Sequence, residues 1–148
     1  MGGWTGLRAA ERIAGLGAIL CLGSLLFPWY GIELELFQGF SQTGLEAFSF
    51  AHAALGVTAA AALVLIVRCG RGYRPPRPLS EGGLLALAGV WAAVLVAYLA
   101  IDKPEQIAGF GQVRLRYGLL VALAGAGALV SGGMRLRATT DGRDPTVV

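Results

Sequence analysis

Histidine occurs once in this chain, as His52, and cysteine twice, as Cys21 and Cys69. A protein metal site takes three or four ligands, so a lone imidazole argues against metal chemistry. No Cys-x-x-Cys is present, which excludes the usual dithiol redox motif. Ser-x-x-Lys, His-Glu-x-x-His and a glycine-rich phosphate loop are missing as well. The sequence therefore predicts a non-enzyme with no catalytic residue, no metal and no cofactor.

Charge is the second scarcity. Only 14% of the residues are charged, against about 25% in soluble domains. Four stretches carry no Asp, Glu, Lys or Arg: Ile13–Ile32, Ala47–Val67, Gly82–Ile101 and Tyr117–Met134. Each is 18 to 21 residues long. About 20 apolar residues, rising 1.5 Å each, cross the roughly 30 Å hydrocarbon core of a bilayer. A helix of a soluble bundle would instead carry polar residues every three or four positions. The expected fold is an all-α membrane protein, an antiparallel bundle of four transmembrane helices within residues 1–137. Residues 138–148 read as a short, disordered cytoplasmic tail.

Within those runs His52 is the single ionisable group apart from Cys21 and tyrosine. Transporters and proton relays usually place acids or bases inside the bundle, and four-helix exporters of similar size rely on a membrane-embedded glutamate. Their lack here leaves a small oligomeric transporter or channel as an alternative only. The first run follows Arg8 and Arg12, as a signal peptide would. It is too long for one, no Ala-x-Ala-like site follows it, and Leu20 before Cys21 is too bulky for a lipoprotein box. It is expected to remain as a helix.

The charges between the runs set the orientation. One side holds Arg8, Arg12, Arg68, Arg71, Arg74, Arg77, Arg135, Arg137 and Arg143. The other holds Lys103, Arg114 and Arg116 against Glu33, Glu35, Glu46, Asp102 and Glu105. By the positive-inside rule the arginine-rich side is cytoplasmic. The expectation is a multi-pass protein of the plasma (inner) membrane with both termini inside. Topogenesis already accounts for these arginines, so no nucleic acid is expected as a partner. Arg68, Arg71, Arg74 and Arg77 are candidates for contact with anionic lipid headgroups. Cys21 and Cys69 fall at different depths, beyond the roughly 7 Å that a disulfide spans, and read as free thiols.

Local patterns fill in the connections. Phe27-Pro28-Trp29-Tyr30 ends the first helix with aromatics that favour the headgroup zone. Ile32-Glu33-Leu34-Glu35-Leu36 alternates with strand periodicity, and Gln38-Gly39 would turn it into a small β-hairpin. Thr43-Gly44-Leu45-Glu46 has the spacing of a capping box for the second helix. Ser80-Glu81 restarts a helix after the Arg- and Pro-rich inner loop.

Small residues recur every four positions, as at Gly89, Ala93 and Ala97 or Gly118, Ala122 and Ala126. Such rows let helices approach closely in lipid, within the bundle or against a partner or second copy. Trp91 falls midway along the third run, where its indole N–H needs a core partner such as Thr58. His52 reads as a satisfied interfacial histidine, and with Trp91 as a candidate lipid or quinone groove. Trp29, Tyr30, Glu33, Glu35, Glu46, Asp102, Arg114 and Arg116 form the candidate outer interaction surface. An ion pair between Asp102 and Arg116 would fasten two helix ends.

Four motifs in order, Leu26-Phe27-Pro28-Trp29-Tyr30, Thr43-Gly44-Leu45-Glu46-Ala47-Phe48, Asp102-Lys103-Pro104 and Arg116-Tyr117-Gly118, span most of the chain. In this the chain resembles a group of small uncharacterised four-helix membrane proteins of actinobacteria. Those proteins would more usually carry Trp at position 45 and Pro at position 103. The resemblance implies the fold and the membrane, and no activity. The function expected is non-catalytic: an accessory or scaffold component acting by association with membrane lipids and a membrane protein partner or a second copy. A lipid- or quinone-binding protein is the other alternative.

Overall fold

In the computed structural model, which describes residues 8–33, 41–47, 49–73, 75, 80–102 and 112–141, the first charge-free run is not one helix. Helix α1 covers Ala9–Ser24, and strand β1 follows over Pro28–Glu33. Proline lacks a backbone donor and suits the first position of a strand. Trp29 and Tyr30 favour extended backbone. Absence of charge does not separate a helix from a buried strand. The single span expected over Ile13–Ile32 is therefore corrected to a 16-residue helix followed by a strand.

Strand β2, Ser41–Thr43, pairs antiparallel with β1, placing Thr43 opposite Pro28 and Ser41 opposite Gly31. The expected hairpin is thus present as an antiparallel pair. Its residues Leu34, Glu35 and Leu36 and its turn at Gln38-Gly39 lie outside the described residues. A third strand, β3 over Gln112–Leu115, joins the free edge of β1 with Leu115 opposite Tyr30. The sheet order is β2-β1-β3.

Helices α2 (Phe50–Gly70), α3 (Glu81–Ile101) and α4 (Tyr117–Asp141) complete the described elements. All three are long and apolar enough to cross a membrane. At 16 residues α1 is shorter than the roughly 20 of a full span. Ser80 caps α3, its Oγ accepting from the Gly83 N–H at 3.0 Å. Helix α4 runs past Arg137 to Asp141, so the boundary expected at residue 137 moves outward. Residues 142–148 lie outside the described residues.

Small residues bring the helix backbones together. A Cβ added at Gly17 would lie 2.6 Å from the Gly125 carbonyl oxygen, and one at Gly132 2.7 Å from the Ala14 nitrogen. On the other flank, Gly89 meets Val130 and Gly82 meets Arg137. Residue numbers rise on one helix as they fall on the other, so α4 is antiparallel to both α1 and α3. Of the small-residue rows, Gly118, Ala122 and Ala126 are buried and serve packing inside the bundle, whereas in the other row Gly89 is buried and Ala97 is exposed. Helix α2 leans more sparsely on α1 and α3, closing a ring in the order α1, α4, α3, α2. One end of this ring carries the sheet. The other gathers the start of α1, the end of α2, the start of α3 and the end of α4, and with them the arginines.

Candidate functional site

A buried aromatic cluster seats the sheet on the helix ends. Trp29 is 0% exposed and Tyr30 1%. The Trp29 indole N–H donates to the Ser24 carbonyl at 2.6 Å. The Tyr30 hydroxyl donates to the Leu99 carbonyl at 2.8 Å, tying β1 to the end of α3. His52, 2% exposed in the first turn of α2, turns its ring edge-on to both, with centroids 5.0 Å from Trp29 and 6.5 Å from Tyr30. Its Nδ1 shares a 2.9 Å hydrogen bond with Ser49 Oγ. Its Nε2 is buried with no hydrogen-bond partner among the described residues. His52 is thus half satisfied, which corrects the expectation of a fully partnered interfacial histidine. Close approach of α4 completes the seat: a Cβ at Gly118 would lie 2.7 Å from the Pro28 carbonyl oxygen.

This seat changes the membership of the expected outer surface. Trp29 and Tyr30 are withdrawn beneath the sheet and serve as its anchors, because their rings supply the apolar area that holds it down. Glu46 and Asp102 are exposed. Arg116 lies against Gly31, and its backbone N–H donates to the Trp29 carbonyl at 2.9 Å. Asp102 interacts with the Tyr98 hydroxyl instead of with Arg116. The expected Asp102–Arg116 ion pair is not formed among the described residues. Glu33 and Arg114 are placed by their backbones alone, on neighbouring strands β1 and β3, and Glu35 lies outside the described residues. The reciprocal capping bonds do form, Thr43 N–H to Glu46 Oε2 at 2.9 Å and Glu46 N–H to Thr43 Oγ1 at 3.3 Å. They close a turn over residues 44–47, and α2 begins later, at Phe50 after Ser49.

At the opposite end a second polar cluster forms that the sequence pattern does not single out. Arg8 Nε pairs with Glu11 Oε1 at 2.9 Å, and its Nη2 lies 3.8 Å from Glu81 Oε2. Glu11 is buried. Glu81 Oε1 is buried without a hydrogen-bond partner among the described residues, and the Cys69 thiol lies beside this carboxylate. Both acids stand within two residues of the start of a charge-free run, Ile13 or Gly82, and that flanking position is the available signal. Arg68 and Arg71 are exposed and form no ion pair among the described residues. Arg74 and Arg77 lie outside the described residues. Cys21 and Cys69 are free thiols. Among the described residues no three metal-binding side chains come together.

Between α2 and α3 runs a groove of about 340 Å³, lined by Val57, Thr58, Ala61, Ala62, Leu65, Leu84, Leu85 and Ala88. Neither His52 nor Trp91 lines it. Trp91 is 51% exposed on the outward face of α3, and Thr58 Oγ1 donates within its own helix to the Ala54 carbonyl at 2.7 Å. One expectation is corrected by this: Trp91 has no core partner in Thr58. The two residues expected to share a groove are placed differently, His52 buried and Trp91 exposed. Depth along the helix is legible in the sequence, but with apolar residues on every face the inward face is not.

No family model matches the chain, and a search of curated proteins finds no match.

Proposed function

We propose that the chain is an integral protein of the plasma membrane that acts by association, as an accessory or scaffold component of a membrane assembly. The sheet platform carries this reading. Strands β2 and β3 are the edges of a three-stranded sheet, and edge strands offer backbone donors and acceptors to a partner strand. Buried Trp29, Tyr30 and His52 hold the platform in place in advance of binding, which lowers the ordering cost of association. Exposed acids Glu46 and Asp102 flank it.

The faces left outside the bundle support a place in the membrane. Val57 and Val64 on α2, Leu87 and Val94 on α3, and Leu120 and Met134 on α4 are all exposed. Soluble monomers rarely present apolar patches of this extent, whereas a bilayer covers them at no cost. The arginine end faces the cytoplasm by the positive-inside rule, which puts both termini inside and the sheet outside. The partner is a second membrane protein or another copy of the chain.

Purification in mild detergent followed by native mass spectrometry tests the association. A co-purifying membrane protein or a defined oligomer is expected. A bare monomer at every detergent concentration contradicts the proposal.

A further inference from the structure

We propose that the α2–α3 groove holds one acyl chain of an anionic phospholipid, with the headgroup phosphate on Arg68 and Arg71. The inference rests on the membrane placement argued above and not on the association reading. Val57, Ala61 and Leu65 follow one face of α2 at helical spacing. Three residues further along the same face stands Arg68, in the last turn of the helix. Across the groove, Leu84 and Ala88 begin one turn above the start of α3. The groove thus runs from the middle of the bundle toward the arginine end, and Arg68 continues its α2 wall in that direction.

The wall chemistry selects a hydrocarbon chain. Thr58 bears the sole hydroxyl in the lining, and the Ala54 carbonyl already engages it. A quinone ring would leave its carbonyls unpartnered here, which is costly away from water. An acyl chain leaves nothing unpartnered. At roughly 30 Å³ per small group, the volume of about 340 Å³ takes about ten chain carbons.

Charge selects the headgroup. Glu11 and Glu81, at the starts of α1 and α3, are drawn into the Arg8 cluster. Arg68 and Arg71 face outward and form no ion pair among the described residues. Guanidinium groups bind phosphate oxygens with paired N–H donors. An apolar partner helix could fill the wall but would bring no anion to this pair of cations. A phospholipid from the adjacent leaflet engages both.

The full chain, reconstituted into vesicles of equal phosphatidylglycerol and phosphatidylcholine and re-extracted, is read by native mass spectrometry. One phosphatidylglycerol per chain should be retained, about fivefold or more over phosphatidylcholine. Arg68→Gln with Arg71→Gln should remove the preference, and both side chains are exposed, so the fold is not at risk. Ala61→Phe should fill the groove and remove the bound lipid; Ala88→Leu serves if the first variant does not float with vesicles. Flotation of each variant reports membrane placement separately from lipid retention. Undiminished retention in the groove-filled variant, an unchanged preference in the double glutamine variant, or a protein cross-linked in the groove in place of lipid would overturn the proposal.

Discussion

A buried imidazole nitrogen without a hydrogen-bond partner costs about 1–3 kcal/mol, and among the described residues His52 Nε2 has none. The ring is retained against this cost because it fills space beside Trp29 and Tyr30. His52→Phe keeps the filling and removes the orphan nitrogen, while giving up the bond to Ser49. These effects oppose each other, so stability should change by about 1 kcal/mol or less. His52→Ala opens a cavity and should cost about 2–4 kcal/mol. Thermal unfolding of detergent-solubilised protein, followed by helical circular dichroism, separates the two; equal losses would mean that Nε2 has a partner after all. Glycines give a second contrast. Gly17→Ala drives a methyl onto the Gly125 carbonyl and the Leu129 nitrogen, both of them backbone atoms that cannot rotate away. Overpacking of this kind costs about 1–3 kcal/mol. Gly127→Ala meets nothing within 4 Å and should be neutral or stabilising by up to about 1 kcal/mol. The same unfolding measurement should rank Gly127→Ala level with or above the parent and Gly17→Ala below it.

Among the elements, α3 is the one whose limits the sequence states most directly. Ser80 and Glu81 open it and Asp102 closes it, because polar residues bound an unbroken apolar run. Ser80→Ala removes the Oγ that accepts from Gly83 and should cost about 1 kcal/mol, again read from the unfolding midpoint. The sheet is far less legible. Strand β1 is hidden in a charge-free run, where Pro28 looks like a helix terminator and is equally a strand opener. Strand β3 is only four residues long, and its partner β1 lies some eighty positions earlier in the chain. Local alternation cannot specify a pairing across that separation. Tyr30 is the residue through which the sheet holds to α3, by its bond to the Leu99 carbonyl. Tyr30→Phe should weaken that anchorage by about 1 kcal/mol. Faster amide hydrogen exchange in Gly31 and Arg116, with the middle of α3 unchanged, would show that the loss is confined to the seat. Uniform acceleration through the bundle would instead make Tyr30 a determinant of global stability.

For the whole molecule, charge is distributed by end, and that asymmetry is legible in the order of residues alone. The division of the arginine end is not. Arg8 is drawn toward Glu11 and Glu81, which meet only when the starts of α1 and α3 come together, while Arg68 and Arg71 remain outward. In the proposed orientation the outward pair lies on the cytoplasmic face and β2 on the opposite one. Ser41, exposed on β2, and Arg71, exposed at the end of α2, therefore report the two sides of the membrane. In a chain whose Cys21 and Cys69 are replaced by alanine, Ser41→Cys should react with a membrane-impermeant maleimide on intact cells. Arg71→Cys should react only after permeabilisation. Replacing Cys21 removes a thiol that is fully buried and donates weakly to the Ala122 carbonyl at 3.6 Å; the loss is about one small group and should leave insertion intact. A reversed labelling pattern would place the sheet in the cytoplasm and remove the basis for the orientation. Labelling of both positions from outside would show that α2 does not cross the bilayer between them.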